Sequence, residues 1–574
     1  MIKLTIDGRL VEVPKGSSIL DAARIANIKI PTLCYHEDQA VKANCRICVV
    51  DVEGRPGLQA SCATPAEEGM VIHTCSPRVI RARKQIMELI LSRHPAKCLT
   101  CEKNGSCELQ TIARELNLTK SPDYTTDIRK SVIDASSPSI VRDMSKCIIC
   151  GRCIEACSKV QEINVMGREN RGYHTMVVPP YGKFLADTAC VNCGQCVQVC
   201  PSGALTIHDD TNQFGDALMA GRHTIVQVAP SVRINIAEAL GEEPGTVSTG
   251  RLVSALKILG FEKVFDSDFS ADLTIMEEGS ELLYRLKNGG TLPMFTSCCP
   301  GWIKYLETFA PDLRPHLSTC KSPMEMFGPL IKTYFAEKAG IDPKDICSIA
   351  IMPCTAKKFE CRRREMNASG ERDVDFVLTV EETARMIQAA GIDFKNLEET
   401  PFDNPFGTGS GAGLIFGATG GVMEAALRTV YELVTGKTLE KLDFEAVRGF
   451  DGWKEASVDL NGTVVKVAIV HGLGNARKLI EKVRAGEADY HFVEIMACPG
   501  GCIGGGGNAP RTWAKMAKRI EAVYEAEKEL PIRKSHENPF IKQIYAEYLG
   551  EPLGEKSHAL LHTHYVDRHD LLTT

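Results

Sequence analysis

Twenty-four cysteines, most of them in tightly spaced groups, constrain this 574-residue chain more than any other feature. Cysteines at such density either form disulfides or bind metal, and the redox compartment decides between the two. The N-terminus, MIKLTIDGRLVEVPKG, reads as a strand pair turning at Asp7-Gly8 rather than as a signal peptide. No apolar run reaches the ~18 residues of a transmembrane helix. A cytoplasmic location is therefore expected, with no membrane association, and there reduced thiols serve as metal ligands. The net charge of −6 without a basic run argues against nucleic acid as a partner. A mildly acidic surface instead suits docking of small electron carriers. The length implies about three or four domains.

Cys34, Cys45, Cys48 and Cys62 form C-x10-C-x2-C-x13-C in a hairpin-and-helix segment. Two thiolates from one tight turn, with one on either side, suit a [2Fe–2S] cluster, against the alternative of a structural zinc site. The spacing resembles the [2Fe–2S] modules of multi-cluster hydrogenases and of the large iron–sulfur subunit of respiratory complex I. His94, Cys98, Cys101 and Cys107 follow an amphipathic stretch, VIRARKQIMELILSRHP. Alone, His94 reads as an ordinary helix-end histidine; placed before three cysteines, it reads as the neutral ligand of a [4Fe–4S] cluster. Two C-x2-C-x2-C-x3-C runs then repeat, Cys147, Cys150, Cys153, Cys157 and Cys190, Cys193, Cys196, Cys200. In such pairs the fourth cysteine serves the other cluster. Cys147, Cys150, Cys153 and Cys200 are thus expected to hold one [4Fe–4S] cluster, and Cys190, Cys193, Cys196 and Cys157 its partner. Four clusters in sequence make an electron wire, which needs a terminus.

Beyond about Arg222, strands alternate with helices, as in TIVQVAPSVR, LPMFTSCCPGW, SIAIMPCTAKK and FVEIMACPGGC. Sites in α/β sheets gather at the carboxyl ends of strands, so these loops can meet. They carry Cys298, Cys299, Cys354, Cys498 and Cys502, one thiol more than a [4Fe–4S] cluster needs. Glu278, Glu281 and Arg285 fall on one helix face, which by itself suggests a surface salt bridge between Glu281 and Arg285. Ser231 by itself suggests a helix cap, Lys357 a solvated helix-end lysine, and Met352 and Met496 core packing. The run Gly504 to Gly507 is no phosphate loop, since no Gly-Lys-Ser/Thr follows. Cys75, Cys320, Cys347 and Cys361 receive no role, although Cys361, close to the Cys354 loop, is a candidate oxidation site.

FTSCCPGW, MPCTAKKFE and EIMACPGGC resemble the three signature segments of the [FeFe]-hydrogenase active-site domain, and APSVR, TIMEE, SGAGLIFGATGGVMEAALR and KSHEN also match. The resemblance covers essentially the whole chain, in the large clostridial-type architecture. It implies a multidomain α+β and α/β fold, with ferredoxin-like iron–sulfur domains followed by a two-lobed α/β active-site domain. The expected boundaries are 1–78 for a plant-type [2Fe–2S] domain, 79–125 for the [4Fe–4S] domain with one histidine and three cysteine ligands, and 138–209 for a two-cluster ferredoxin. Residues 210–574 form the catalytic domain, ending in a small-subunit-like segment. The resemblance further implies that Cys299, Cys354, Cys498 and Cys502 hold the [4Fe–4S] half of an H-cluster. Cys502 bridges to a two-iron subsite carrying CO, cyanide and an azadithiolate. Lys357 and the Ala229-Pro230-Ser231 loop would serve the cyanides, Met352 and Met496 would pack against the diatomic ligands, and Cys298, Glu278, Ser318, Glu281 and Arg285 would relay protons. Expected partners are ferredoxin or another redox carrier, NAD(P)-linked flavoprotein subunits, and maturation proteins for the two-iron subsite. The rival readings are an electron-transfer subunit without hydrogen chemistry, and a scaffold or sensor.

Overall fold

A computed structural model describes residues 1–118, 132–439 and 441–573. The chain divides into two compact units. The end of the expected 79–125 domain lies outside the described residues.

The first unit comprises Met1–Val160, Asn164–Leu185 and Val199–Thr206. Near its start, Ile2–Ile6 pairs antiparallel with Arg9–Val13. The pair turns through Asp7 and Gly8, both at positive φ, which glycine adopts without strain. Alternation along IKLTI buries Leu4 and Ile6, which pack with Val11, Val13, Ile19, Leu20, Val50 and Ile72. Two further strands, Val71–His73 and Val49–Val52, extend this sheet. The amphipathic stretch forms the helix Pro77–Leu91, with Ser76 accepting from Val79 N and proline in the first turn. Val79, Arg83 and Met87, spaced by four, form its buried stripe, so the helix ends with His94 aimed back into the unit.

The second unit comprises Gln161–Ile163, Ala186–Gln198 and Ile207–Thr574, and contains two four-stranded sheets. In one, Lys263–Asp266, His223–Val228, Ile346–Met352 and Phe376–Thr379 are all parallel, with Val226 opposite both Val264 and Ile349. Every residue of Ile346–Met352 is buried, as a central parallel strand covered on both faces requires. In the other sheet, Met294–Phe295, Phe492–Met496 and Thr463–His471 run parallel, and Trp453–Leu460 closes the edge antiparallel. The helix Asp268–Asn288 is buried along most of its length and ends at Gly289 in the left-handed conformation. Among the described residues, no helix is long and apolar enough to cross a membrane.

Candidate metal and catalytic site

Four strands of the second unit deliver their carboxyl ends to one place. His223–Val228 leads into Ala229-Pro230-Ser231, and Ile346–Met352 into Pro353, Cys354 and Lys357. Met294–Phe295 leads into Cys298 and Cys299, and Phe492–Met496 into Cys498 and Cys502. Between these loops lies a cavity of about 70 Å³, lined by Ala229, Pro230, Ser231, Cys298, Met352, Cys354, Lys357, Met496 and Cys502, all expected from the sequence. Pro353 follows Met352 in the wall, and sequence reasoning missed Ser267, Ala271, Pro323, Met324, Phe416 and Gly417, which complete it. Phe416 and Gly417 fall inside the motif SGAGLIFGATGG, but no periodicity distinguishes a cavity wall from core.

Cys299, Cys354, Cys498 and Cys502 lie near enough to interact electrostatically. Burial and the neighbouring Cys299 push the Cys354 thiol up to about 12, and Cys498 is driven up by burial and by Cys354. Such thiols stay protonated unless a metal core holds them as thiolates. Backbone conformation cooperates: Gly501 has φ +87°, and a Cβ there would stand 2.7 Å from Thr419 N.

The polar groups at the cavity wall fit an acceptor-bearing ligand. Ser231 heads the helix Val232–Ala239 but makes no side-chain cap, and its buried Oγ has no hydrogen-bond partner among the described residues. The capping alternative is therefore wrong, and the hydroxyl is left for whatever fills the cavity. Lys357 is buried rather than solvated; its Nζ donates to Glu360 Oε2 at 2.7 Å and to the Cys298 carbonyl at 3.2 Å. Burial opposes its charge, but Glu360 and the nearby cysteines hold the ammonium above its ordinary value. Pairing with Glu360, three residues on, was legible as an i,i+3 spacing and was overlooked.

Cys298, the surplus thiol, is buried, and its pKa is raised well above the usual value by burial and by Glu278. Glu278 is pushed to about 8 by burial and by Glu281. Its Oε1 accepts from Ser297 N at 3.3 Å, whereas Oε2 has no hydrogen-bond partner among the described residues. Ser318 faces Glu278 and donates its Oγ hydrogen to Glu281 Oε2 at 2.9 Å. Arg285 forks onto Glu281 Oε1, Nη2 at 2.6 Å and Nε at 3.1 Å. The expected Glu281–Arg285 pair thus exists, but Glu281 and Arg285 side chains are only 9% and 11% exposed, so it is not a surface bridge. Ser318, Glu281 and Arg285 are thus joined by hydrogen bonds, and Glu278 lies near enough to interact electrostatically with both Cys298 and Glu281. Thr319 and His562, absent from the sequence reading, also join this group.

The first unit holds its own thiol groups. Cys48 Sγ and Cys62 Sγ lie 3.4 Å apart, and Asn44 N and Cys45 N donate to Cys34 Sγ at 3.3 and 3.4 Å. Hydrogen bonds from the Cys45 thiol and these backbone amides pull Cys34 down to about 5, against burial. His94, Cys98, Cys101 and Cys107 line a cavity of about 20 Å³. His94 Nδ1 lies 3.1 Å from the Pro95 carbonyl oxygen, which fixes the proton there, while the buried Nε2 has no partner among the described residues. Burial keeps the ring below its ordinary pKa, in the neutral form that binds metal. Cys150 interacts electrostatically with both Cys200 and Cys147. Cys157 belongs to this unit and Cys190, Cys193 and Cys196 to the other. Within the second unit Cys193 faces Cys498, and Gln195 donates to the Gly504 carbonyl at 3.0 Å. Cys361 is buried, with its thiol pushed up by that burial, so the expectation of an accessible oxidation site is not met.

Residues 222–506 match the family described as iron only hydrogenase large subunit, C-terminal domain, and 514–568 the iron hydrogenase small subunit. Residues 1–77 match a 2Fe-2S iron-sulfur cluster binding domain, and 83–122 the NADH-ubiquinone oxidoreductase-G iron-sulfur binding region. Residues 146–204 match a 4Fe-4S dicluster domain. The chain is 49% identical to the NADP-reducing hydrogenase subunit HndD of Solidesulfovibrio fructosivorans, over 100% of both chains. It is 40% identical to iron hydrogenase 1 of Clostridium pasteurianum, covering 98% of this chain and 100% of that one. A solved variant of [FeFe]-hydrogenase HydA1 from Chlamydomonas reinhardtii superposes with a TM-score of 0.55 at 48% identity, over 60% of this chain and 94% of that chain.

Proposed function

Because this chain belongs to the iron-only ([FeFe]) hydrogenase family and is itself a hydrogenase with accessory iron–sulfur domains, we propose how its residues divide the reaction 2H⁺ + 2e⁻ ⇌ H₂. The observation that carries the reading is a cavity lined by three cysteines, one of which, Cys298, lies beside the buried carboxyl group of Glu278.

Cys299, Cys354, Cys498 and Cys502 would hold the [4Fe–4S] half of an H-cluster, and Cys502, in the cavity wall, would be the thiolate nearest its two-iron half. When bound, that cofactor supplies the site at which protons and electrons combine. The fit is supported by the unpartnered Ser231 hydroxyl, the Lys357 ammonium and an otherwise apolar wall. Lys357 Nζ and Ser231 Oγ are the donors for acceptor ligands such as cyanide. Ala229, Pro230, Met352 and Met496 fill space and exclude water. Cys298 Sγ passes a proton inward and is reprotonated from the free Oε2 of Glu278. Glu278 is in turn refilled through the Ser318 hydroxyl from Glu281, with Arg285 at the outer end. A carboxyl group pushed to about 8 holds its proton at neutral pH yet can release it, which this position requires.

Cys34, Cys45, Cys48 and Cys62 would hold one [2Fe–2S] cluster, and His94, Cys98, Cys101 and Cys107 one [4Fe–4S] cluster, which would supply the electron relay. Two more [4Fe–4S] clusters use the crosswise sets ending in Cys200 and Cys157. Both N-terminal sites adjoin the Cys147–Cys200 set: Asn44 donates to the Ile149 carbonyl at 2.8 Å, and Cys107 interacts with Cys200. This supports two entry points merging into one wire. The domains are taken as 1–78, 79–125, 138–209 and 210–574. Ferredoxin, or NAD(P)-linked flavoprotein subunits, would deliver the electrons in the cytoplasm; HndD, by its name, is a subunit of an NADP-reducing hydrogenase. Maturation proteins would supply the two-iron half.

The test is anaerobic H₂ evolution from reduced viologen by protein supplied with the two-iron subsite, alongside Cys298→Ala. The expected result is rapid evolution, reduced by ~10²-fold or more in the variant, with unchanged infrared bands from CO and cyanide. Evolution undiminished in Cys298→Ala would overturn the proposed proton path.

A further inference from the structure

We infer that His562 is a second proton-supplying arm, acting through the Thr319 hydroxyl on Glu281; this rests on reading Glu281 as the outer carboxylate of the relay. Thr319 Oγ1 lies 3.2 Å from Glu281 Oε2 and 2.8 Å from His562 Nδ1, bridging the two. On the far side of the ring, Nε2 stands 3.1 Å from Glu277 Oε2. Glu277 also accepts from the Tyr545 hydroxyl and, at 2.8 Å, from Leu553 N. A carboxylate already accepting from two donors is held as an acceptor, so Nε2 carries hydrogen toward it. The exchangeable position is then Nδ1, which faces Thr319. The His562 and Glu277 side chains are 1% and 0% exposed, so this is a built arrangement and not a surface encounter.

A threonine hydroxyl has one hydrogen to give. Beside neutral imidazole, Thr319 gives it either to Nδ1 or to Glu281. Beside imidazolium, Nδ1–H donates to Thr319 Oγ1, freeing the hydroxyl hydrogen for Glu281 Oε2. One concerted shift then breaks the Nδ1–H bond and the threonine O–H bond, and forms a new threonine O–H and a Glu281 O–H. Imidazolium becomes imidazole, carboxylate becomes carboxylic acid, and no electron moves. Glu277 remains the acceptor throughout and orients the ring.

The groups facing the ring are Glu277 from the helix Asp268–Asn288, Tyr545 from the C-terminal segment, Glu281, Cys320 and His558. Cys320 forms a β-bridge with His562, and burial raises its thiol well above the ordinary value, so it remains a neutral neighbour. His558 stacks on His562 with ring centroids 4.5 Å apart, and its exposure gives the buried ring a neighbour in solvent.

The experiment compares H₂ evolution by the loaded holoenzyme with that of Thr319→Val, Thr319→Ser, His562→Gln and Glu281→Gln, at about pH 6 and about pH 9. Iron content and the CO and cyanide infrared bands establish that each variant is folded and loaded. Thr319→Val and His562→Gln are expected to lose roughly threefold to tenfold at the lower pH, a part of what a direct proton donor contributes. The deficit should shrink at the higher pH, where solvent offers the arm fewer protons, and Thr319→Ser should restore the original profile. Equal impairment in Thr319→Val and Thr319→Ser, or a deficit independent of pH, would overturn the inference. If Glu281→Gln abolishes turnover while Thr319→Val does nothing, the relay stands and the arm falls. If Glu281→Gln leaves turnover intact, both fall.

Discussion

Glu278 keeps its proton because it sits where neither water nor a cation reaches it: burial and Glu281 push it from an ordinary 4.5 to about 8. The folded state therefore binds this proton more tightly than the unfolded chain. The corresponding stability is fully present below about pH 4.5 and is lost as pH rises through about 8. Thermal unfolding of the loaded protein across this window should show a midpoint that declines with pH, and Glu278→Gln should remove that part of the decline. A Glu278→Gln protein with the same pH slope would show that the carboxyl group is not held neutral. Lys357 makes the opposite case, since Glu360 offsets the cost of burying its charge and the ammonium persists inside the wall.

At the scale of elements, parallel strands aim and glycines allow approach. The loop after Phe492–Met496 comes so close to the ferredoxin-type run that a Cβ on Gly506 would stand 2.5 Å from the Cys193 carbonyl oxygen and 2.7 Å from the Gly194 Cα. Both obstacles are backbone, so neither side can yield by changing rotamer. Gly506→Ala is expected to destabilise the protein by about 1–3 kcal/mol. It should also displace the Cys193 loop, read as a perturbed spectrum of one [4Fe–4S] cluster with the [2Fe–2S] signal unchanged. An unperturbed set of cluster spectra would show that the two loops do not abut.

At the scale of the whole molecule, the proposed electron wire rests on ligand chemistry. His94 presents a neutral, unpartnered Nε2 to a cavity shared with Cys98, Cys101 and Cys107, and a neutral ligand leaves a cluster less negative than a fourth thiolate would. His94→Cys should therefore lower the midpoint potential of that cluster alone in an anaerobic redox titration followed by paramagnetic resonance. An unchanged potential would mean that His94 is not a ligand. Electron-carrier and subunit partners would then be better sought at the [2Fe–2S] site.

Much of the metal chemistry was legible along the chain, because ligands supplied by one turn or one loop carry fixed spacings. The two C-x2-C-x2-C-x3-C runs, the His94 group and the helix-face spacing of Glu278, Glu281 and Arg285 needed no tertiary knowledge to be noticed. By local reading alone, however, Ser231 was a helix cap and Glu281–Arg285 a surface bridge, because burial is not a local property. Thr319, Cys320 and His562 were invisible for the same reason: no period links them, and they meet Glu281 only after the C-terminal segment packs against Asp268–Asn288. Sequence by itself determined which atoms could bind iron. Tertiary structure decided which side chains share the cavity wall and which carboxyl group was buried enough to hold a proton, since both depend on neighbours distant in the chain.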